Sequence, residues 1–127
     1  MTPAEYLESV IDHLSEVSII SSSRIIREYS NPNKAHLRAR LTFVDNSYLE
    51  FYEYIERGGN GEINVKTYSY HWAGENNELI RRWDNTPHFP KSENFPHHIH
   101  IGENEVMPGA PINIFAILDE IAKIITE

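Results

Sequence analysis

The chain has 127 residues, with 11 basic against 19 acidic side chains and a net charge of −8 when its seven histidines are neutral, which argues against gripping nucleic acid through a broad positive surface. It has no cysteine, and this removes disulfides, thiolate zinc sites and cysteine nucleophiles. A hydrophobic content of 40% and a charged content of 24% are ordinary for a globular protein, and no apolar run approaches the roughly 20 residues of a membrane span.

The length predicts one domain over residues 1–127. The start, MTPAEYLESV, has no basic region followed by an apolar one, so no signal peptide and a cytoplasmic residence are expected. Thr2 is placed as an N-cap, Pro3 as the first helical residue and Glu5 as the partner that closes a capping box. Tyr6, Leu7, Val10, Ile11, Leu14 and Val17 then form one apolar stripe, predicting an amphipathic helix of about four turns. His13 is read as solvated.

From Ser18 to Tyr29 the paired isoleucines 19–20 and 25–26 around three serines predict an irregular or bulged strand. His36 to Phe43 alternates, with Leu37, Ala39, Leu41 and Phe43 inward and His36, Arg38, Arg40 and Thr42 outward. Asp45-Asn46 turns the chain into a strand from Tyr48 to Arg57. A shared inner face for Leu41, Phe43, Leu49, Phe51 and Ile55 needs a three-residue loop, and the register chosen sets Leu41 opposite Phe51 and Arg40 opposite Tyr52. It also puts Glu53 inside, opposite Ala39, where a carboxylate needs a partner. A bulge releasing Glu53 to solvent is the preferred reading; a deliberately held inner carboxylate is the other, and it makes Glu53 a site candidate.

After the turn Gly58-Gly59-Asn60-Gly61, Ile63 to Trp72 reads as a strand with Tyr68, Tyr70 and Trp72 on one face and Ser69 and His71 on the other. Leu79 to Trp83 returns, carrying Arg81 and Arg82 to opposite faces. Residues from Asp84 to Phe95 carry two prolines and no periodicity, a loop long enough to be functional. Beyond Pro96, alternation puts His98 and His100 on one side and His97, Ile99 and Ile101 on the other. Gly102 to Ala110 reads as a connector. Pro111 or Asn113 starts a last helix whose apolar residues exceed one narrow stripe, so it must be buried in the core or in a dimer contact.

The strings YSYHW, RRWDNTPH and FPHHIH resemble the TumE-type toxins of prokaryotic toxin–antitoxin pairs. Phe89 stands where that family more often has a second histidine. The resemblance extends to the hairpin LRARLTFVDNSYLEFYEY and the last helix, about three-quarters of the chain. It implies a toxin role and a partner, such as a helix-turn-helix antitoxin.

Taken for themselves, the residues support three chemistries. Histidines 88, 98 and 100, with His97 and Asp84 nearby, could ligate zinc or a similar divalent ion. Alternatively, with no cofactor, His88, His98 and His100 could serve as acid and base in cleaving an RNA phosphodiester through its own 2′-hydroxyl. Asp84 or Glu53 would then orient an imidazole, Arg82 or Arg81 would hold the phosphate, and Tyr68, Tyr70 or Trp72 would stack a base. Third, Trp83, His88, Phe89, Phe95, His97 and His98 could build a rigid, non-catalytic loop in a binding module. Arg24, Arg27, Arg38, Arg40, Arg81 and Arg82 would have to converge for a nucleic-acid role. The expected fold is α+β: a curved antiparallel sheet of four to six strands with both terminal helices on its inner face.

Overall fold

The computed structural model describes residues 1–87 and 94–126. Its elements are α1 (Pro3–Leu14), β1 (Ile20–Ser30), β2 (Lys34–Phe43), β3 (Tyr48–Arg57), β4 (Ile63–Ala73), β5 (Leu79–Asp84), β6 (His98–Ile101), β7 (Glu105–Pro108) and α2 (Ile114–Ile125). The strands form one open antiparallel sheet in chain order, β1 to β7, and α1 and α2 join its inner face in a common core. The architecture is therefore α+β with seven strands rather than four to six. The difference includes β7, taken above for a connector. Its four residues are all exposed, so no alternation marks it, and Pro108 is tolerated because β7 is an edge.

Local signals set the helix starts. Thr2 Oγ1 accepts the Glu5 amide at 3.1 Å while Glu5 Oε1 accepts the Thr2 amide at 2.7 Å, which closes the capping box over two otherwise unpaired donors. The helix stops at Leu14, short of Val17. At α2 the cap is Asn113, whose Oδ1 accepts the Ala116 amide at 3.1 Å. Most of the wide apolar arc of α2 is taken by the core: Ile114, Ile117, Leu118 and Ile121 are buried, and Ile124 is 37% exposed.

β2 and β3 alternate buried and half-buried residues along their lengths. The loop between them has the three residues expected, Val44 to Asn46, closed by the Phe43 amide on the Ser47 carbonyl at 2.8 Å. Asn46 takes the left-handed conformation (φ 70°) that such a loop requires. The register is shifted by two residues from the expected one, with Leu41 opposite Leu49, Ala39 opposite Phe51, Leu37 opposite Glu53 and Arg40 opposite Glu50. Parity is unchanged, so every inward side chain stays inward; the turn simply begins one residue earlier.

Glu53 is not released by a bulge. It is 1% exposed and accepts from Tyr6 Oη at 2.6 Å, Tyr70 Oη at 2.5 Å and the Ile114 amide at 2.8 Å. The irregularity falls one residue later, at Tyr54/Ile55 in the pairing of β3 with β4. Three donors, one of them at the positive end of α2, make an inner carboxylate tolerable. β1 is bulged in two places, as read from the sequence, and nearly all exposed.

Candidate active site on the face away from the helices

The pleat divides the polar residues of β2 to β6 into two transverse rows on the face turned away from α1 and α2. Register places Arg40, Glu50, His71, Arg82 and His100 side by side on five neighbouring strands. The next row is Arg38, Tyr52, Ser69, Asp84 and His98. Alternation of tyrosines and tryptophan toward the core in β4 is what turns Ser69 and His71 outward.

Asp84 is the hub of this surface. Its side chain is 4% exposed; Oδ2 accepts from Arg82 Nε at 3.0 Å and lies 3.9 Å from His100 Nε2, while Oδ1 lies 2.7 Å from His98 Nε2. Oδ1 also accepts the Thr86 amide at 3.1 Å. His98 is buried, and its Nδ1 is 3.0 Å from the Pro96 carbonyl. A carbonyl only accepts, so Nδ1 carries the hydrogen and Nε2 is the nitrogen turned to Asp84. Gly109 keeps β6 in place: a Cβ there would come within 3.1 Å of the His98 nitrogen and 3.2 Å of its Cα.

A depression of about 350 Å³ opens beside the hub, lined by Arg38, Arg40, Tyr48, Glu50, Ser69, His71 and Arg82. Arg82 Nη1 approaches His71 Nδ1 at 3.3 Å. Burial, then the Arg82 charge, holds the His71 pKa below the ordinary imidazole value, so this imidazole is neutral at neutral pH. The Arg40 guanidinium sits 3.8 Å from the centre of the Tyr48 ring and that of Arg38 5.0 Å from the Tyr52 ring. These are cation–π pairs with the arginines on the rim of the depression. Arg38 is also 3.5 Å from Glu50.

Among the residues singled out from the sequence, Arg82, Asp84, His98 and His100 come together. His88 lies outside the described residues. Arg81 is on the opposite face, bonded to Glu120 of α2 at 3.0 Å, because neighbours in a strand point apart. Tyr70 and Trp72 are 0% and 2% exposed and, with Glu53, belong to the core, where no base can stack on them. Tyr68 is buried too, its hydroxyl 2.8 Å from His97 Nδ1 and its pKa pushed up to about 12 by burial and then by Asp84. The residues missed as site candidates are Arg38, Arg40, Tyr48 and His71. Their outward parity was legible; that parity alone also describes a solvated sheet face.

The sheet face turned away from α1 and α2 thus gathers arginines, imidazoles and a buried orienting carboxylate, donors of the kind that bind oxyanions. The family model described as Toxin TumE matches residues 7–127, and the chain belongs to that toxin family. It is thus a toxin component, and a toxin of this kind implies an antitoxin partner. The match extends the resemblance from three-quarters to nearly the whole chain. No curated protein and no solved structure matches it. Among the described residues, no helix is long and apolar enough to cross a membrane.

Proposed function

We propose that the protein is a metal-independent endoribonuclease toxin that cleaves single-stranded RNA in the cytoplasm and is neutralised by a helix-turn-helix antitoxin. The observation that carries this reading is the row His71, Arg82, His100 on three adjacent strands. Strands about 4.8 Å apart set the two histidine backbones roughly 10 Å from each other, with the guanidinium between them. A phosphate held by Arg82 would be within reach of both imidazoles. One would take the 2′-hydroxyl proton and the other would protonate the leaving 5′-oxygen, leaving a 2′,3′-cyclic phosphate. Asp84 fixes the fork of Arg82 and stands near His100, and Arg38 and Arg40 offer charge for neighbouring phosphates. Tyr48 and Tyr52, half-buried on the outer face, replace Tyr70 and Trp72 as surfaces for unpaired bases.

Purified protein should cut single-stranded RNA in the presence of chelator, and the products should end in cyclic phosphate. Harmless overexpression in a host without the antitoxin, together with intact RNA, would exclude the reading. The rate should follow a bell in pH. Since the pKa of His71 is lowered, the acid limb should lie below the ordinary imidazole value, and a limb above it would rule out His71 as the base.

A homodimer is the second reading, and its contact would be the part of α2 left outside the core, Ile124 with the edges of the half-buried Phe115 and Ile125. Light scattering at high concentration should then give twice the chain mass; a sharp monomer mass would exclude it.

A further inference from the structure

We propose that Asp84, His98 and His100 form a binding site for one divalent transition-metal ion of the zinc class, and that filling it switches the ribonuclease off by occupying His100. The site itself stands on geometry alone; the inhibitory role rests on the cleavage reading above.

One carboxylate oxygen and one nitrogen from each histidine lie within 4.8 Å of one another. Around a tetrahedral ion, ligands bound at about 2.0–2.1 Å are ~3.3 Å apart. His98 Nε2 and Asp84 Oδ1, now 2.7 Å apart, would open slightly, and the half-exposed His100 would close on them by up to about 1.5 Å. Two imidazoles and one carboxylate form a donor set suited to zinc and its neighbours rather than to calcium or magnesium.

The outer partners are those of a ligand set. The Nδ1–H of His98 is directed at the Pro96 carbonyl at 3.0 Å, the contact that orients a metal-binding imidazole and fixes which nitrogen faces the ion. Asp84 is steadied by Arg82 on Oδ2 and by the Thr86 amide on Oδ1, and the other lone pair of Oδ1 points to His98 Nε2 at 2.7 Å, the contact that an ion would open. His98 and Asp84 are buried, whereas the His100 side chain is 29% exposed, so an ion and a fourth ligand, water, would enter past His100. Ligation would draw His100 toward Asp84 and use the lone pair that proton transfer to RNA requires.

Untagged full-length protein should be titrated with zinc chloride by calorimetry, and with cobalt(II), whose visible bands report nitrogen and oxygen ligation. About one ion per chain is expected. His100→Ala should weaken binding by at least about tenfold, whereas His13→Ala, half-buried on α1 against Phe115 and away from the site, should not alter it. Absent binding, or binding unchanged in both His100→Ala and Asp84→Asn, overturns the site. RNA cleavage by the wild type should fall at least about tenfold over the same zinc range and recover with chelator. Binding without slowing, or with acceleration, overturns the inhibitory role. Binding retained by a protein that cuts no RNA under any condition leaves the site standing and removes the ribonuclease reading instead.

Discussion

Asp84→Asn should keep the fold cooperative and lower RNA cleavage by roughly 10²–10³-fold, with growth arrest lost to match. Asparagine has the same shape, so Thr86 and the packing around β5 are undisturbed. What changes is the charge and half of the acceptor capacity. Arg82 Nε, now 3.0 Å from Oδ2, would face an amide that either donates toward it or offers only a neutral oxygen, and the guanidinium would lose its fixed plane. The buried position of Asp84 makes this loss larger than for an exposed pair, because water does not replace the carboxylate. Arg82→Lys is the companion test. It keeps a positive charge but loses the planar fork, so cleavage should fall about tenfold or more if the phosphate is held by two parallel bonds. His98→Ala and His100→Ala should each abolish toxicity. Survival of toxicity in both, in folded protein, would make these histidines structural.

The largest effect on stability is expected at Glu53. Removing its carboxylate leaves Tyr6 Oη, Tyr70 Oη and the Ile114 amide without an acceptor in the core, at a cost of about 1–3 kcal/mol for each stranded donor and without simple additivity. A total of roughly 3–5 kcal/mol is a large part of the 5–15 kcal/mol by which domains are held folded. Glu53→Ala should therefore lose cooperative unfolding near ambient temperature, and the start of α2 should be the first amides to lose protection from hydrogen exchange. Glu53→Gln keeps an acceptor and should be far milder.

The pH dependence separates the two forms. Burial raises the Glu53 pKa, against the lowering influence of the Tyr6, Tyr70 and Ile114 hydrogen bonds. A carboxyl with a raised pKa binds its proton more tightly in the folded state. Its contribution is therefore fullest below the unfolded carboxyl pKa and is lost as pH rises through the raised folded one. In urea titrations the wild type should lose stability relative to Glu53→Gln on going from mildly acid to neutral pH. A difference that did not change with pH would assign the shift to another group.

Short-range chemistry accounts for what could be read without coordinates. The capping box Thr2/Glu5, the alternation of β2 and β3, the inward ladder Tyr68, Tyr70 and Trp72, and the opposed directions of Arg81 and Arg82 depend only on residues a few positions apart. They follow from helix and strand periods and from which backbone donors need a partner. The same periods placed His98 and His100 together and the arginines 38 and 40 outward.

What only the tertiary structure decided was which outward residues are neighbours and which inward polar group is satisfied. Glu53 is held by Tyr6, 47 positions before it, and by Ile114, 61 positions after it; no local pattern announces such partners, so a bulge was the natural expectation. The row His71, Arg82, His100 needs the pairings of β4 with β5 and β5 with β6, and a shift of one residue in either would have sent an imidazole into the core. Strand period fixes the face of a side chain, while long-range register fixes its company, and the candidate site is made of company.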